Sequence, residues 1–247
     1  MTYSVFVLSG TGFPQGGDGI CERFAAHLDE RFFVQYIRYP AEGFGRGMAW
    51  ADSREFGKQA LLKAIRDTDN IAVPVGYSQG ADIVGDVVAE IGDGKHPGLE
   101  VAGCALIADP RRPEGATMPG IRPASGYGVA GARPIRNIPT WWAAVEGDAI
   151  TSLPAGSPLR TASDVMDYFS LSSPEAALAW GVKLYAKALE KSLQPWWKFE
   201  NRKGWAGAAR DIWGYLPPPI GGGLHTYRYV QMGLLPRLAE AVNRGVR

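Results

Sequence analysis

The feature that most restricts what this chain can fold into is the alternation, through its first half, of short apolar runs with segments of helical period. "YSVFVLS" (3–9), closed by Gly10, Gly12 and Pro14, reads as a buried strand. "GICERFAAHL" (19–28) sets Ile20, Phe24 and Leu28 on one helical face, and the aromatic, β-branched "RFFVQYIRY" (31–39) is a second strand. "SREFGKQALLKAIRD" (53–67) carries Phe56, Ala60, Leu61 and Ile65 at helical spacing. A strand at "NIAVPVGY" (70–77), a helix at "GADIVGDVVAEIG" (80–92) and strands at "LEVAGCALIAD" (99–109) and "IPTWWAAVEGD" (138–148) continue the rhythm. Strands that are apolar throughout and alternate with helices predict a mostly parallel sheet covered on both faces, with right-handed crossovers. Pro74 is out of place in a central strand, because proline has no N–H to give the ladder.

Beyond Leu159 the alternation stops. From 159 to 215 the sequence reads as helices only, the clearest being "PEAALAWGVKLYAKALEKS", capped by Ser173 with Pro174 at its first position. The expectation is a single α/β domain over 1–247 that carries 159–215 as a helical insertion. "PPPIGGG" (217–223) then connects to a closing helix over 224–242, expected to kink near Pro236. With 26 basic and 25 acidic residues, the chain lacks the basic excess of a nucleic-acid binder. Its two cysteines, Cys21 and Cys104, are too few for a disulfide framework and read as buried free thiols. No apolar run reaches the ~20 residues of a membrane span. The N-terminus enters its first strand with neither a basic n-region nor a cleavage site, so no signal peptide is read there.

The candidate chemistry lies in "VGYSQGAD" (75–82). G-x-S-x-G between an apolar strand and an amphipathic helix is the context of a nucleophile elbow: Ser78 is aimed out of the sheet's carboxyl edge, and Gly76 and Gly80 allow close packing around it. The plainer reading is that Ser78 caps the helix. A serine nucleophile needs a base, and there are three histidines. His27 lies in the first helix and His96 in a polar turn, whereas His225 follows a glycine-rich loop downstream of the serine, in the chain order Ser, acid, His. For the acid, Asp148 ranks first, at the loop after the strand beginning at 138. Glu146, two residues earlier on an extended chain, would point the same way and ranks second. Asp109 ranks third, and Asp164 and Asp167 fall in the insertion. The oxyanion donors are expected to be the backbone N–H groups of Gln79, at a helix N-terminus, and of Thr11, in the glycine loop "SGTGFP" (9–14). That loop lacks the spacing of a phosphate-binding turn. No metal or cofactor is implied, because the histidines are scattered and no ligand spacing exists.

Taken together, "GTG" (10–12), "GYSQGA" (76–81), "GD" (147–148) and His225 resemble the cutinase-like serine esterases of the α/β-hydrolase superfamily. The long helical, tryptophan-rich stretch between Asp148 and His225 is most similar to phage lysin B, the mycolylarabinogalactan esterases. The resemblance implies a three-layer sandwich and a catalytic set of Ser78, Asp148 and His225. It also implies hydrolysis of the mycolic acid–arabinogalactan ester, or another lipid ester, at the host envelope by a protein made in the host cytoplasm. Trp196, Trp197, Phe199, Trp205 and Trp213 would line an acyl groove or else pack the insertion's own core. Lys183, Lys187 and Lys191 recur every four residues and read as a solvated face.

Overall fold

Five of the apolar runs pair side by side: β1 (Tyr3–Leu8), β2 (Phe32–Tyr36), β3 (Ile71–Tyr77), β4 (Cys104–Ile107) and β5 (Thr140–Ala143). Their order across the sheet is β2-β1-β3-β4-β5, and every pairing is parallel. The structure, a computed structural model, describes residues 2–43, 47–166, 202–216 and 218–247. The helices are α1 (Cys21–Ala25), α2 (Trp50–Asp67), α3 (Gln79–Gly92), α4 (Pro158–Met166), α5 (Arg202–Tyr215), α6 (Tyr227–Gln231) and α7 (Leu234–Gly245). Among the described residues no helix is long and apolar enough to cross a membrane.

The alternation along β1 divides the core in two. Tyr3, Val5 and Val7 pack with Phe24 of α1 and with Leu234, Leu235, Leu238 and Val242 of α7. Phe6 and Leu8 face the other way, onto Leu61 and Ile65 of α2 and Ile83, Val84 and Val87 of α3. Because side chains alternate sides along a strand, one apolar run feeds both layers, and this is what a parallel sheet requires.

Two details differ from the sequence reading, and a third, the proline in the central strand, finds its physical reason. Phe56 is exposed, and the buried stripe of α2 runs through Trp50, Ser53, Gly57, Leu61 and Ile65. At Gly57 a Cβ would lie 2.7 Å from Ile83 Cδ1, so this glycine sets the close approach of α2 to α3. The closing helix breaks at Gly233, whose φ of +61 is left-handed, and not at Pro236. Pro236 sits in the first turn of α7, where its missing N–H has no intrahelical partner to lose. Pro74 does occupy the central strand. It lies between the bridge Ala72↔Val101 and the pair Val75↔Ala105, which differ in register by one residue, so the missing donor falls at a bulge on the β4 side. The helix expected after Ser173, the three lysines and Trp196, Trp197 and Phe199 lie outside the described residues. Both cysteines are buried and free.

Beneath the first turn of α3 lies an ion cluster that no local pattern announced. Asp82, 1% exposed, meets Arg54 at 2.8 Å, Arg111 at 3.2 Å and Arg133 at 3.2 Å. Arg133 also reaches Asp86 at 3.1 Å and Asp109 at 2.9 Å, crossing α3 where a side chain at Gly85 would collide with its guanidinium. Burial alone would raise the Asp82 carboxyl, but the three guanidinium groups outweigh it and hold it below its ordinary value. A folded value below the unfolded one means stability that is complete above the unfolded value and is lost as pH falls through the folded one. Chemical denaturation should therefore show wild-type stability declining below about pH 4. Asp82→Asn, which leaves the buried Arg133 and the half-buried Arg54 and Arg111 short of a charge, should cost about 3–5 kcal/mol at neutral pH and flatten that decline.

Candidate active site

A parallel sheet presents all its carboxyl ends at one edge, and the loops there converge. Ser78 follows β3 directly. Its backbone, at φ +54 and ψ −116, is left-handed for a residue with a Cβ, a strain that the surrounding packing holds in place. The flanking glycines explain the fit. A Cβ at Gly76 would strike the carbonyl of Gly80, and one at Gly80 would strike the carbonyl of Leu8 at the end of β1. Ser78 makes no side-chain capping bond to α3. Its hydroxyl instead donates to His225 Nε2 at 3.0 Å.

The hydrogen-bond pattern determines the state of the imidazole. His225 Nδ1 stands 3.1 Å from both Asp148 oxygens. The carboxylate also accepts from the Ile150 N–H at 3.0 Å and from the Tyr229 hydroxyl at 2.7 Å. An ionised carboxylate can only accept, so Nδ1 keeps its proton and donates a hydrogen bond to Asp148, which leaves Nε2 free to accept from Ser78. Asp148 is fully buried and His225 nearly so. Tyr77, the last residue of β3, stacks its ring on His225 with centroids 5.3 Å apart and donates to the His225 carbonyl at 2.9 Å. Tyr215 of α5 approaches the same imidazole at 5.1 Å. Burial first, then the neighbouring Asp148 carboxylate, push the phenols of Tyr229 and Tyr77 well above their ordinary values, so both remain donors.

Glu146 does not enter the site. Gly147 adopts φ +79, and the Asp148 N–H bonds back to the Val145 carbonyl at 3.2 Å, so the chain turns between the two acids. Glu146 faces solvent and accepts from the Ser125 N–H at 2.8 Å and from the Ser125 hydroxyl. The expectation that both would point the same way assumed an extended chain, but β5 ends at Ala143. Asp109 is locked to Arg133 and to the Trp142 N–H, the latter at 3.1 Å. His27 is exposed and bonded to the Arg23 carbonyl at 2.8 Å, while His96 pairs with Glu90 at 2.8 Å. Asp167 lies outside the described residues, as does the side chain of Asp164.

The loop after β1 lies against Ser78: a Cβ on Gly10 would sit 3.4 Å from that of the serine. In this loop the Gly10 N–H goes to Asp18 at 3.4 Å, that of Gly12 to the Ala41 carbonyl at 2.8 Å and that of Phe13 to the Gly10 carbonyl at 3.2 Å. The N–H groups of Thr11 and Gln79 take no acceptor among the described residues. The two residues are tied through their side chains, Thr11 Oγ1 donating to Gln79 Oε1 at 3.3 Å and Gln79 Nε2 to the Glu42 carbonyl at 2.9 Å. Among the described residues no group of three His, Cys, Asp or Glu side chains is placed to hold a metal ion.

Two buried arginines fix the loops that carry the acid. The Arg112 guanidinium donates to the carbonyls of Thr151, Ala124 and Gly126 at 2.8, 3.0 and 2.8 Å. Arg160 of α4 binds the carbonyls of Leu153 and Tyr127 at 2.7 and 3.1 Å and stacks on the Tyr127 ring. Neither arginine, nor Tyr229 or Tyr77, carries a sequence signal, because their contacts follow no helical or strand period and several cross tens of residues. Trp213 is exposed at the end of α5, and the Trp205 side chain lies outside the described residues.

No protein-family model matches the chain. Over 75 residues it is 43% identical to a carboxylesterase Culp6 homolog from Corynebacterium glutamicum; the match takes in 28% of this chain and only 24% of that protein's length. Among solved structures it is similar to lysin B from mycobacteriophage D29, with a TM-score of 0.56 and 21% identity over 95% of this chain and 99% of that one. A cutinase-like protein from Cryptococcus sp. aligns over 76% of this chain and 94% of that one, with a TM-score of 0.45 and 18% identity. The lysin B likeness takes in almost the whole of both chains and agrees with the layers described above. The chain has the α/β-hydrolase fold, with α4 and α5 between Asp148 and His225, and shares that fold with lysin B from mycobacteriophage D29.

Proposed function

We propose that the chain is a serine carboxylic-ester hydrolase. The observation that carries this reading is the continuous hydrogen-bonded relay from Ser78 through His225 to the buried Asp148, mounted on a strained elbow. In the proposed reaction Ser78 Oγ attacks the ester carbonyl carbon while His225 Nε2 takes the hydroxyl proton, and Asp148 stabilises the imidazolium that forms. The oxygen of the tetrahedral intermediate is held by the N–H groups of Thr11 and Gln79, both without an internal acceptor, at the positive end of α3. Collapse expels the alcohol, which takes its proton from His225. Water, deprotonated by the same imidazole, then releases the acid and restores Ser78.

The substrate we propose is a mycolic acid–arabinogalactan ester, cleaved at the envelope of the host. Supporting this are the lysin B likeness over nearly the full chain and the helices between acid and histidine. The local identity to a carboxylesterase supports a second, broader reading as a general carboxylesterase.

On a short-chain nitrophenyl ester, Ser78→Ala and His225→Ala should each lower kcat by roughly four to six orders of magnitude. Asp148→Asn should lower it by about 10⁴-fold with the fold intact, and Glu146→Gln should leave it within a few-fold of wild type. Near-normal activity in Asp148→Asn would refute the relay. To separate the substrates, free mycolic acid released from purified mycolyl-arabinogalactan should appear with wild type and be absent with Ser78→Ala. Cleavage of the nitrophenyl ester without mycolate release would leave the broader reading. Failure on both would refute the hydrolase.

A further inference from the structure

Relays of this kind need only a serine, a histidine and an acid, yet here the acid has a further side-chain partner, the Tyr229 hydroxyl, which stands between the carboxylate and the Val145 backbone N–H. Tyr229 lies in α6, four residues after His225, with none of its surface exposed. A phenylalanine would fill the same space, so packing does not require the oxygen. Burying a hydroxyl costs free energy unless it is bonded, and this one is spent on Asp148 Oδ2 at 2.7 Å, the shortest of the contacts described for that carboxylate. The other groups facing the pair are His225, Tyr77 at the end of β3, Tyr215 of α5 and the Arg112 guanidinium of the loop after β4. None of them donates to Oδ2 except His225, which shares both oxygens.

The geometry points to Tyr229 as a positioning residue that sets both the orientation and the strength of Asp148 as His225's partner, an inference that rests on the hydrolase reading above. A phenol donating to Oδ2 withdraws negative charge from the carboxylate. It also leaves a single rotamer in which both oxygens face Nδ1. Without that donor the carboxylate keeps more charge, holds the Nδ1 proton more tightly and favours the imidazolium. It also loses one of its anchors and samples orientations in which His225 is no longer aimed at Ser78.

Two substitutions at this position test the sign of the effect. Tyr229→Phe removes the donor, and 3-fluorotyrosine incorporated at 229 makes it a stronger one without changing shape. The readouts are the low-field proton resonance of His225 Nδ1–H and the acid limb of kcat/KM against pH on a nitrophenyl ester. In Tyr229→Phe the resonance should move further downfield, the acid limb should move to higher pH by about half a unit, and kcat should fall about ten-fold. Fluorotyrosine should move the resonance and the limb in the opposite direction, and it alone carries the test should Tyr229→Phe not fold. An unmoved resonance and acid limb in both proteins, whatever the loss of stability or turnover, would overturn the inference and leave Tyr229 a packing residue. A resonance that moves as stated in a protein that cleaves no ester would uphold the positioning and overturn the hydrolase reading.

Discussion

The site depends on one close approach, that of the first turn of α3 to the end of β1. The Gly80 backbone lies so near the Leu8 carbonyl that no side chain fits between them. This contact brings α3 down onto the sheet, forces the chain through a left-handed Ser78 and places the loop after β1 beside the hydroxyl. Any larger residue at Gly80 would push the helix away and relax the turn, and the serine would lose its aim. The strain is held from below. The Asp82 cluster ties the same turn to α2 and to the loops after β4, so the elbow is fixed at Gly80 from one side and by three guanidinium groups from the other.

The opposite arm of the site is held by a different means. Asp148, beyond β5, and His225, between α5 and α6, sit on loops, where no ladder positions them. Their rigidity comes from groups that saturate loop carbonyls: Arg112 and Arg160 bind the backbone on either side of the acid, and Tyr77 binds the carbonyl of the histidine. A buried cation surrounded by carbonyl oxygens resists movement because each displaced oxygen would leave a donor unpaired in a low dielectric. Ser78 is thus set by backbone packing, and Asp148 and His225 by side chains that organise loops.

This division explains what could be read from the sequence. Strand and helix periods, the G-x-S-x-G turn and the glycine loop at 9–14 are local patterns, and the sheet, the elbow and the placement of Thr11 and Gln79 follow from them. What escaped was non-local. Arg54, Arg111 and Arg133 converge on Asp82 from three elements, and Tyr229 reaches Asp148 across 81 positions, so neither grouping leaves a periodic trace. Exposed Phe56 was misplaced for a related reason: helical period marks a face, but Gly57 and Ser53 show that the close contact with α3 needed small residues where an apolar count looks for large ones.

The choice between Asp148 and Glu146 shows where pattern reading reaches its limit. Residues two apart share a face only while the chain stays extended, and the sequence "VEGD" carries the sign that it does not: a glycine between the two acids. Gly147 takes a left-handed φ that turns the chain and buries one carboxylate while leaving the other in water. Burial then determines what each can do. Glu146, solvated and bonded to Ser125, would interact weakly with any imidazole, whereas Asp148, dry and held by three donors from different segments, acts across a low dielectric on the one ring it faces. A single left-handed glycine therefore separates a surface acid from a relay acid.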